Sequence, residues 1–219
     1  MSDLVVVGTS LFGEVAAAYF DRLSDRTVVS FASDPEFIDS DTFAGRDVVS
    51  IERMKEEFPP SEVEVFVAIG YRKMNSLRRD KCEELIESGY SLASFVHPSV
   101  DIWDTTELGQ NVFIFEDNTV QPFTGIGDGT ILWSGNHIGH HSRIDSYTFI
   151  SSHVVISGSC SVGSQCFFGV NSTVYDGVSI GDRCIVGGGS IVAKDLESDS
   201  LVAARRTPTD SRKTYELDF

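Results

Sequence analysis

From Ile102 onward an apolar side chain recurs every six residues without a missed step: Ile102, Leu108, Ile114, Val120, Ile126, Leu132, and so on through Val186 and Val192. Two positions earlier in each unit the residue is small or of modest size, as at Thr106, Thr124, Ser142, Cys160, Cys166 and Cys184. One position after the apolar residue, glycine returns at Gly109, Gly127, Gly139, Gly163, Gly169, Gly181 and Gly187. A helix needs a period of 3.6 and an ordinary sheet a period of two, so an unbroken six predicts a β-solenoid of hexapeptide repeats. Each hexapeptide supplies one short strand and a corner, and three of them close a triangular coil of about eighteen residues. Neighbouring coils then lie about 4.8 Å apart through parallel ladder bonds. Sixteen units give a little over five coils. Cysteine in the small-residue slot reads as corner filler.

The first ninety or so residues follow a different pattern. Apolar runs LVVV (4 to 7), TVVSF (27 to 31), VEVFVAI (63 to 69) and SLASFV (91 to 96) predict strands. Between them lie the helical patterns GEVAAAYFDRL and YRKMNSLRRDKCEELIESG, the latter closed by Gly89 as a helix stop. This is a βαβ-type unit with a parallel sheet. Its first turn, GTSLFG from Gly8 to Gly13, follows a strand and opens a helix, where backbone N–H groups and the helix dipole favour an anion. The spacing is neither G-x-G-x-x-G nor a Walker sequence, so the turn reads equally as a phosphate cradle or as tight strand-to-helix packing.

Composition narrows the partners. With 33 acidic and 17 basic side chains the formal net charge is -16, which repels nucleic acid and anionic membrane surfaces. No apolar run reaches the roughly 18 residues needed to cross a bilayer, and the opening MSDLVVVGTSLFG has no basic leader region, so a cytoplasmic protein without membrane insertion is expected. Four scattered cysteines with no C-x-x-C read as reduced thiols.

The chemistry-bearing stretch is GNHIGHHSR, residues 135 to 143, which holds three of the five histidines. If Ile138 points to the solenoid axis, His137 points outward, and His140 and His141 fall in the next corner. Together with VVVGTSLFGEVAAAYF, VFVAIGYRKMNSLRR and SFVHPSV in the first half, and FISSHVVISG, CFFGVNSTVYDGVSIG and CIVGGGSIVAKD in the second, this stretch resembles the left-handed β-helix sugar acyltransferases with an N-terminal nucleotide-sugar-binding domain. That family includes sialic acid O-acetyltransferases and N-acetyltransferases of UDP- or GDP-linked 4-amino sugars. The resemblance implies a small Rossmann-like α/β domain (1–97), an all-β left-handed parallel β-helix (98–206) and a C-terminal tail (207–219).

It also implies roles. His140 corresponds to a general base at the cleft between two subunits of a homotrimer, a task suited to imidazole because its proton affinity lies near working pH. Relatives commonly follow that histidine with an acidic residue. His141 stands there instead, leaving Asn136, His141 or a group of the adjacent subunit to orient His140. Acetyl-CoA is the implied co-substrate, with Gly158, Val170 and Gly188 along its pantetheine arm and Lys194, Arg205 and Arg206 as candidates for its phosphates. The nucleotide-linked sugar would meet Gly8, Thr9, Ser10, Gly13 and Gly70, with Ser33 or Asp34 as the acidic-side contact after the second strand. The Gly158 N–H is a candidate oxyanion donor. Trp133 and Phe149 occupy positions that are Asn and His in some members, implying a more apolar acceptor or acyl pocket.

The implied reaction is acetyl-CoA-dependent N-acetylation of a nucleotide-linked amino sugar in bacterial surface glycan synthesis. Sugar or sialic acid O-acetylation and a non-catalytic nucleotide-sugar-binding scaffold are the alternatives. No metal is expected: the γ-type carbonic anhydrases resemble this fold but carry two of their zinc-binding histidines five apart and a third upstream, whereas the successive separations along His137, His140, His141 and His153 are three, one and twelve. His97 reads as structural.

Overall fold

The computed structural model describes residues 2–204, 209 and 211–213. The chain begins with β1 (Ser2–Val7), α1 (Leu11–Leu23), β2 (Arg26–Ser33), β3 (Thr42–Phe43), β4 (Arg46–Ser50), α2 (Ile51–Glu57), β5 (Val63–Val67) and α3 (Ser76–Glu87). The sheet runs β3-β4-β2-β1-β5, parallel except for β3. Leu4 to Val7 are buried in succession because β1 is central and covered on both faces. α1 turns Gly13, Ala16, Ala17 and Phe20 inward, a helical stripe of mostly small residues that lets it lie close to the sheet.

Two features depart from the sequence expectation. β4 and α2 were not anticipated, since RDVVS offers only two adjacent apolar residues; α2 is started by the Ser50 side chain, which accepts the Arg53 N–H at 3.2 Å. α3 begins at Ser76 rather than near Tyr71, because Lys73, Met74 and Asn75 all take left-handed backbone angles.

The second half is the left-handed β-helix. Its strands stack on three faces. The first holds Phe95–Val96, Phe113–Ile114, Ile131–Leu132, Phe149–Ile150, Phe167–Phe168, Ile185–Val186 and Leu201–Val202. The second holds Thr119–Val120, His137–Ile138, Val155–Ile156, Thr173–Val174 and Ile191–Val192, and the third Glu107–Leu108, Gly125–Ile126, Arg143–Ile144, Ser161–Val162 and Ser179–Ile180. Partners lie eighteen residues apart, as in Ile126 with Ile144 and Ile138 with Ile156. The six-residue series fills the axis as one continuous core.

The repeat extends further at both ends than its sequence count. Phe95–Val96, read as the last strand of the α/β sheet, is the first rung of the solenoid; Val96 is six residues before Ile102 and in phase with it. Only Leu92 of that run bridges the α/β sheet, at Val65. At the other end Leu196 pairs with Ile180 and Val202 with Val186, sixteen residues apart, so a coil two residues shorter follows Val192.

The two halves are joined by Arg78. Its side chain is fully buried and donates to Ile69 O and Gly70 O in the α/β unit, to the Asn75 side chain, and to Gly129 O (2.7 Å) and Tyr147 O (3.2 Å) in the solenoid. Burial away from water lowers its pKa to about 10, still cationic at neutral pH. Asn75 Nδ2 donates to Cys166 O, and the Asn111 side chain brackets both polar groups of Val67. Between the halves Phe20 and Phe66 pack on Phe95 and Phe113 of the first face. The α/β unit therefore sits on the first face. Among the described residues no helix is long and apolar enough to span a membrane.

Arg78→Met should strand several buried carbonyls, each costing roughly 1–3 kcal/mol, so the variant should be destabilised by at least about 3 kcal/mol. Thermal denaturation followed by circular dichroism should show the transition lowered or split, with Arg78→Lys intermediate; an unchanged midpoint in Arg78→Met would remove this side chain as the joint.

Candidate active site

The corner between the second and third faces is the vertex opposite the first face. Its turn begins in successive coils at Pro122, His140, Gly158 and Asp176, with Lys194 one coil further in the same register. Ile138 is fully buried on the axis, which turns His137 outward and carries His140 and His141 into the exposed corner. His140 N–H donates to the Gln121 side chain at 2.9 Å, and His140 O accepts from Ser159 at 2.8 Å. Its ring lies along the bare Cα of Gly158: a Cβ there would stand 2.7 Å from His140 Cε1 and 2.8 Å from Nε2. Glycine at 158 is thus the condition for the imidazole's position.

Three readings of this region need correction. The Gly158 N–H donates to Asp176 Oδ1 at 2.9 Å and so is not free to meet an oxyanion. Asn136 does not face a ligand: it is 1% exposed, its Nδ2 donates to Trp133 O, and its Oδ1 accepts the Val154 N–H at 2.8 Å. It forms a ladder with Asn118, whose Oδ1 accepts the Asn136 N–H. Trp133 and Phe149 lie on the first face, against Phe12 and Tyr71 respectively, in the seam between the halves rather than at the His140 corner. The partner of His140 is His141, with Nδ1 to Nδ1 at 3.2 Å.

A second candidate site lies in the α/β unit, a cavity of about 850 Å³ at the carboxyl ends of β1, β2 and β5. This is where the strand order diverges on either side of β1, the usual ligand crevice of an open parallel sheet. Gly8, Thr9, Ser10, Asp34 and Gly70 all line it. Gly8 has φ +122, and a Cβ there would meet Ala68 O at 2.9 Å. Gly13 is not part of the cavity; its Cβ would fall 2.1 Å from Gly8 O, so it is a packing glycine that lets α1 start against the turn. Asp34 is bound to Lys81 Nζ at 2.7 Å, and Lys81 also holds Glu84. Arg72, Lys73 and Phe37 line the cavity as well. The Arg72-Lys73 pair, one residue removed from Gly70 and shortly after a strand, was the sequence signal for the two cations.

The positions expected along the CoA arm divide between two edges. Gly158 stands at the His140 vertex, whereas Val170 and Gly188 lie eighteen residues apart at the corner between the first and second faces. There Val170 is 53% exposed, and a Cβ on Gly188 would stand 3.1 Å from Val170 O. Lys194 is exposed at the His140 vertex. Arg205 and Arg206 lie outside the described residues.

A sequence model for the hexapeptide repeat of succinyl-transferase matches residues 160–194. Among solved structures, perosamine N-acetyltransferase from Caulobacter crescentus, determined with CoA and GDP-perosamine, superposes with a TM-score of 0.82 at 26% identity, over 92% of this chain and 93% of that one. The chain thus carries the hexapeptide repeat over that stretch and is similar in fold to a sugar acyltransferase. The acetyltransferase domain of PglB from Neisseria gonorrhoeae, in complex with acetyl coenzyme A, shares the acyltransferase's fold with a TM-score of 0.78 at 20% identity over 91% and 94% of the two chains. WeeI from Acinetobacter baumannii does so with a TM-score of 0.76 at 21% identity over 92% and 96%. No curated protein matches by sequence.

In this acyltransferase Gly158→Ala should leave the coil intact, because Gly158 does not use a left-handed backbone angle, but should displace the His140 ring. A crystal structure of the variant should show the imidazole swung off the ladder and its contact to His141 broken; an unmoved ring would mean that Gly158 does not set its position.

Proposed function

We propose that this acyltransferase moves an acetyl group from acetyl-CoA to the amine of a nucleotide-linked amino sugar, with His140 as general base. The observation that carries the reading is the exposed imidazole laid over the bare backbone at Gly158. Lys194 lies three coils from His140, about 14 Å by the rung spacing. That suits a pantetheine arm whose thioester is at His140 and whose phosphates reach the lysine. In support, the similar Caulobacter enzyme was crystallised with CoA and GDP-perosamine, and does so as a variant with one histidine replaced by asparagine.

The cavity beneath β1 and β5 fits the nucleotide. Its Gly8 to Ser10 turn opens a helix, and Arg72 and Lys73 offer cations to a diphosphate. This cavity belongs to the unit seated on the first face, while His140 is at the opposite vertex. A single site using both takes the nucleotide cavity from one copy of the chain and His140 from another. The same pairing unites the two edges that carry Gly158 and Val170, and a closed ring of three copies satisfies it at every interface.

In the reaction the sugar amine attacks the thioester carbonyl while its proton passes to His140 Nε2. The tetrahedral intermediate then collapses with cleavage of the C–S bond, and the proton on His140 is returned to the departing thiolate, giving the amide and CoA thiol. Atoms and charge balance without an acyl-enzyme. Proximity of the two bound substrates supplies much of the rate.

Thiol release from acetyl-CoA should be seen with a member of a panel of UDP-, dTDP- and GDP-linked 4-amino sugars, and His140→Ala should lower that turnover roughly a hundredfold or more while CoA affinity is largely retained. Release with free sialic acid alone would reassign the acceptor to a hydroxyl, and undiminished turnover in His140→Ala would remove the base.

A further inference from the structure

A neutral histidine has one ring nitrogen bearing hydrogen and one bearing a lone pair, and the hydrogen bond made by one fixes the role of the other. His140 Nδ1 faces His141 Nδ1 at 3.2 Å, so a hydrogen bond between them holds one proton, carried by one ring and accepted by the other. If His141 is the donor, the hydrogen of His140 sits on Nε2, the atom beside Gly158, and that nitrogen cannot take a proton. If His140 is the donor, Nε2 carries the lone pair at the edge of the vertex.

A second observation shows that the His141 ring is held rather than loose. Phe123 lies one coil away and packs its ring 4.8 Å from that of His141 at an interplanar angle of 31°. Phe123 has φ +63 and His141 φ +58, left-handed angles that a bulky phenylalanine rarely adopts. In the same turn position two coils beyond His141 the residue is Gly177, which takes this angle without strain. Phe123 is also 57% exposed, so burial in its own copy does not explain its choice. Its ring lies against the imidazole of His141. The His141 backbone N–H donates to Pro122 O at 3.3 Å, which holds the main chain beneath the ring.

We propose that His141, braced by Phe123, is a positioning residue that accepts the Nδ1 hydrogen of His140 on its own Nδ1 and so keeps His140 Nε2 free as the proton acceptor. The inference rests on the reading of His140 as the base. It differs from support by a carboxylate in that the acceptor is neutral: the imidazolium formed during transfer has no fixed counter-charge behind it and returns its proton readily to the leaving thiolate.

The test is long-range ¹H–¹⁵N spectroscopy of the ring nitrogens in the free full-length protein at a pH where both rings are neutral. In the wild type His140 should be predominantly the Nδ1–H tautomer. His141→Phe keeps a ring against Phe123 but has no nitrogen, and His141→Gly suits the left-handed angle and also lacks an acceptor; in both, His140 should move predominantly to the Nε2–H form. His141→Asn, which tolerates the same backbone angle and offers an amide oxygen, should restore the wild-type tautomer at least in part. Predominant Nε2–H in the wild type, or no tautomer change in Phe and Gly variants that retain the fold, would overturn the proposal. Loss of the base reading is seen separately, as undiminished turnover in His140→Ala whatever the tautomer.

Discussion

Burial of one apolar side chain every six residues along a single axis is the interaction on which the rest of this molecule depends. Each such side chain contributes on the order of 1.5–3 kcal/mol when taken from water, yet a lone coil buries nothing above or below itself. Stability comes from stacking, as in other repeat architectures. The stacking fixes the chemistry as well, because it puts residues eighteen apart directly over one another. His140 lies over Gly158 and Gly158 over Asp176 for the same reason that Ile138 lies over Ile156.

The acidic bias acquires a local explanation in this light. Asp128, Asp176 and Asp182 each accept a corner N–H from the coil before, at Gln110, Gly158 and Ser164. Such bonds satisfy backbone donors that the turns leave unpaired. Part of the negative charge is therefore corner structure. The groups offered as anion contacts, Arg72, Lys73 and Lys194, stand apart from that set.

The solenoid was legible because its period is long, regular and incompatible with helix or sheet. What escaped had either a weak local signal or a signal masked by a neighbouring pattern. Val96 was in phase with the repeat but sat in a run that looked like a Rossmann strand, and the coil after Val192 was hidden by a two-residue deletion. In the candidate site, the placement of His140 in an exposed corner and of the Gly8 turn at a cavity was readable from type and position. Asn136 was misread because a polar residue near a histidine suggests a ligand, although Asn118 eighteen residues earlier already marked a structural ladder. The Gly158 N–H could not have been assigned from sequence, since its commitment to Asp176 depends on a side-chain rotamer.

The central claim is that one active site combines the nucleotide cavity of one copy with His140 of another. Complementation tests it most directly. Gly70→Phe should fill the cavity at little structural cost, since nothing lies within 4 Å of a Cβ at that position; it leaves His140 intact, while His140→Ala leaves the cavity intact. Differently tagged copies of the two inactive variants, co-expressed and purified as hybrids, should regain acetyl transfer because one interface then joins an intact cavity to an intact histidine. Hybrids as inactive as either parent, although assembled, would show that both elements must come from one chain and would contradict the shared site.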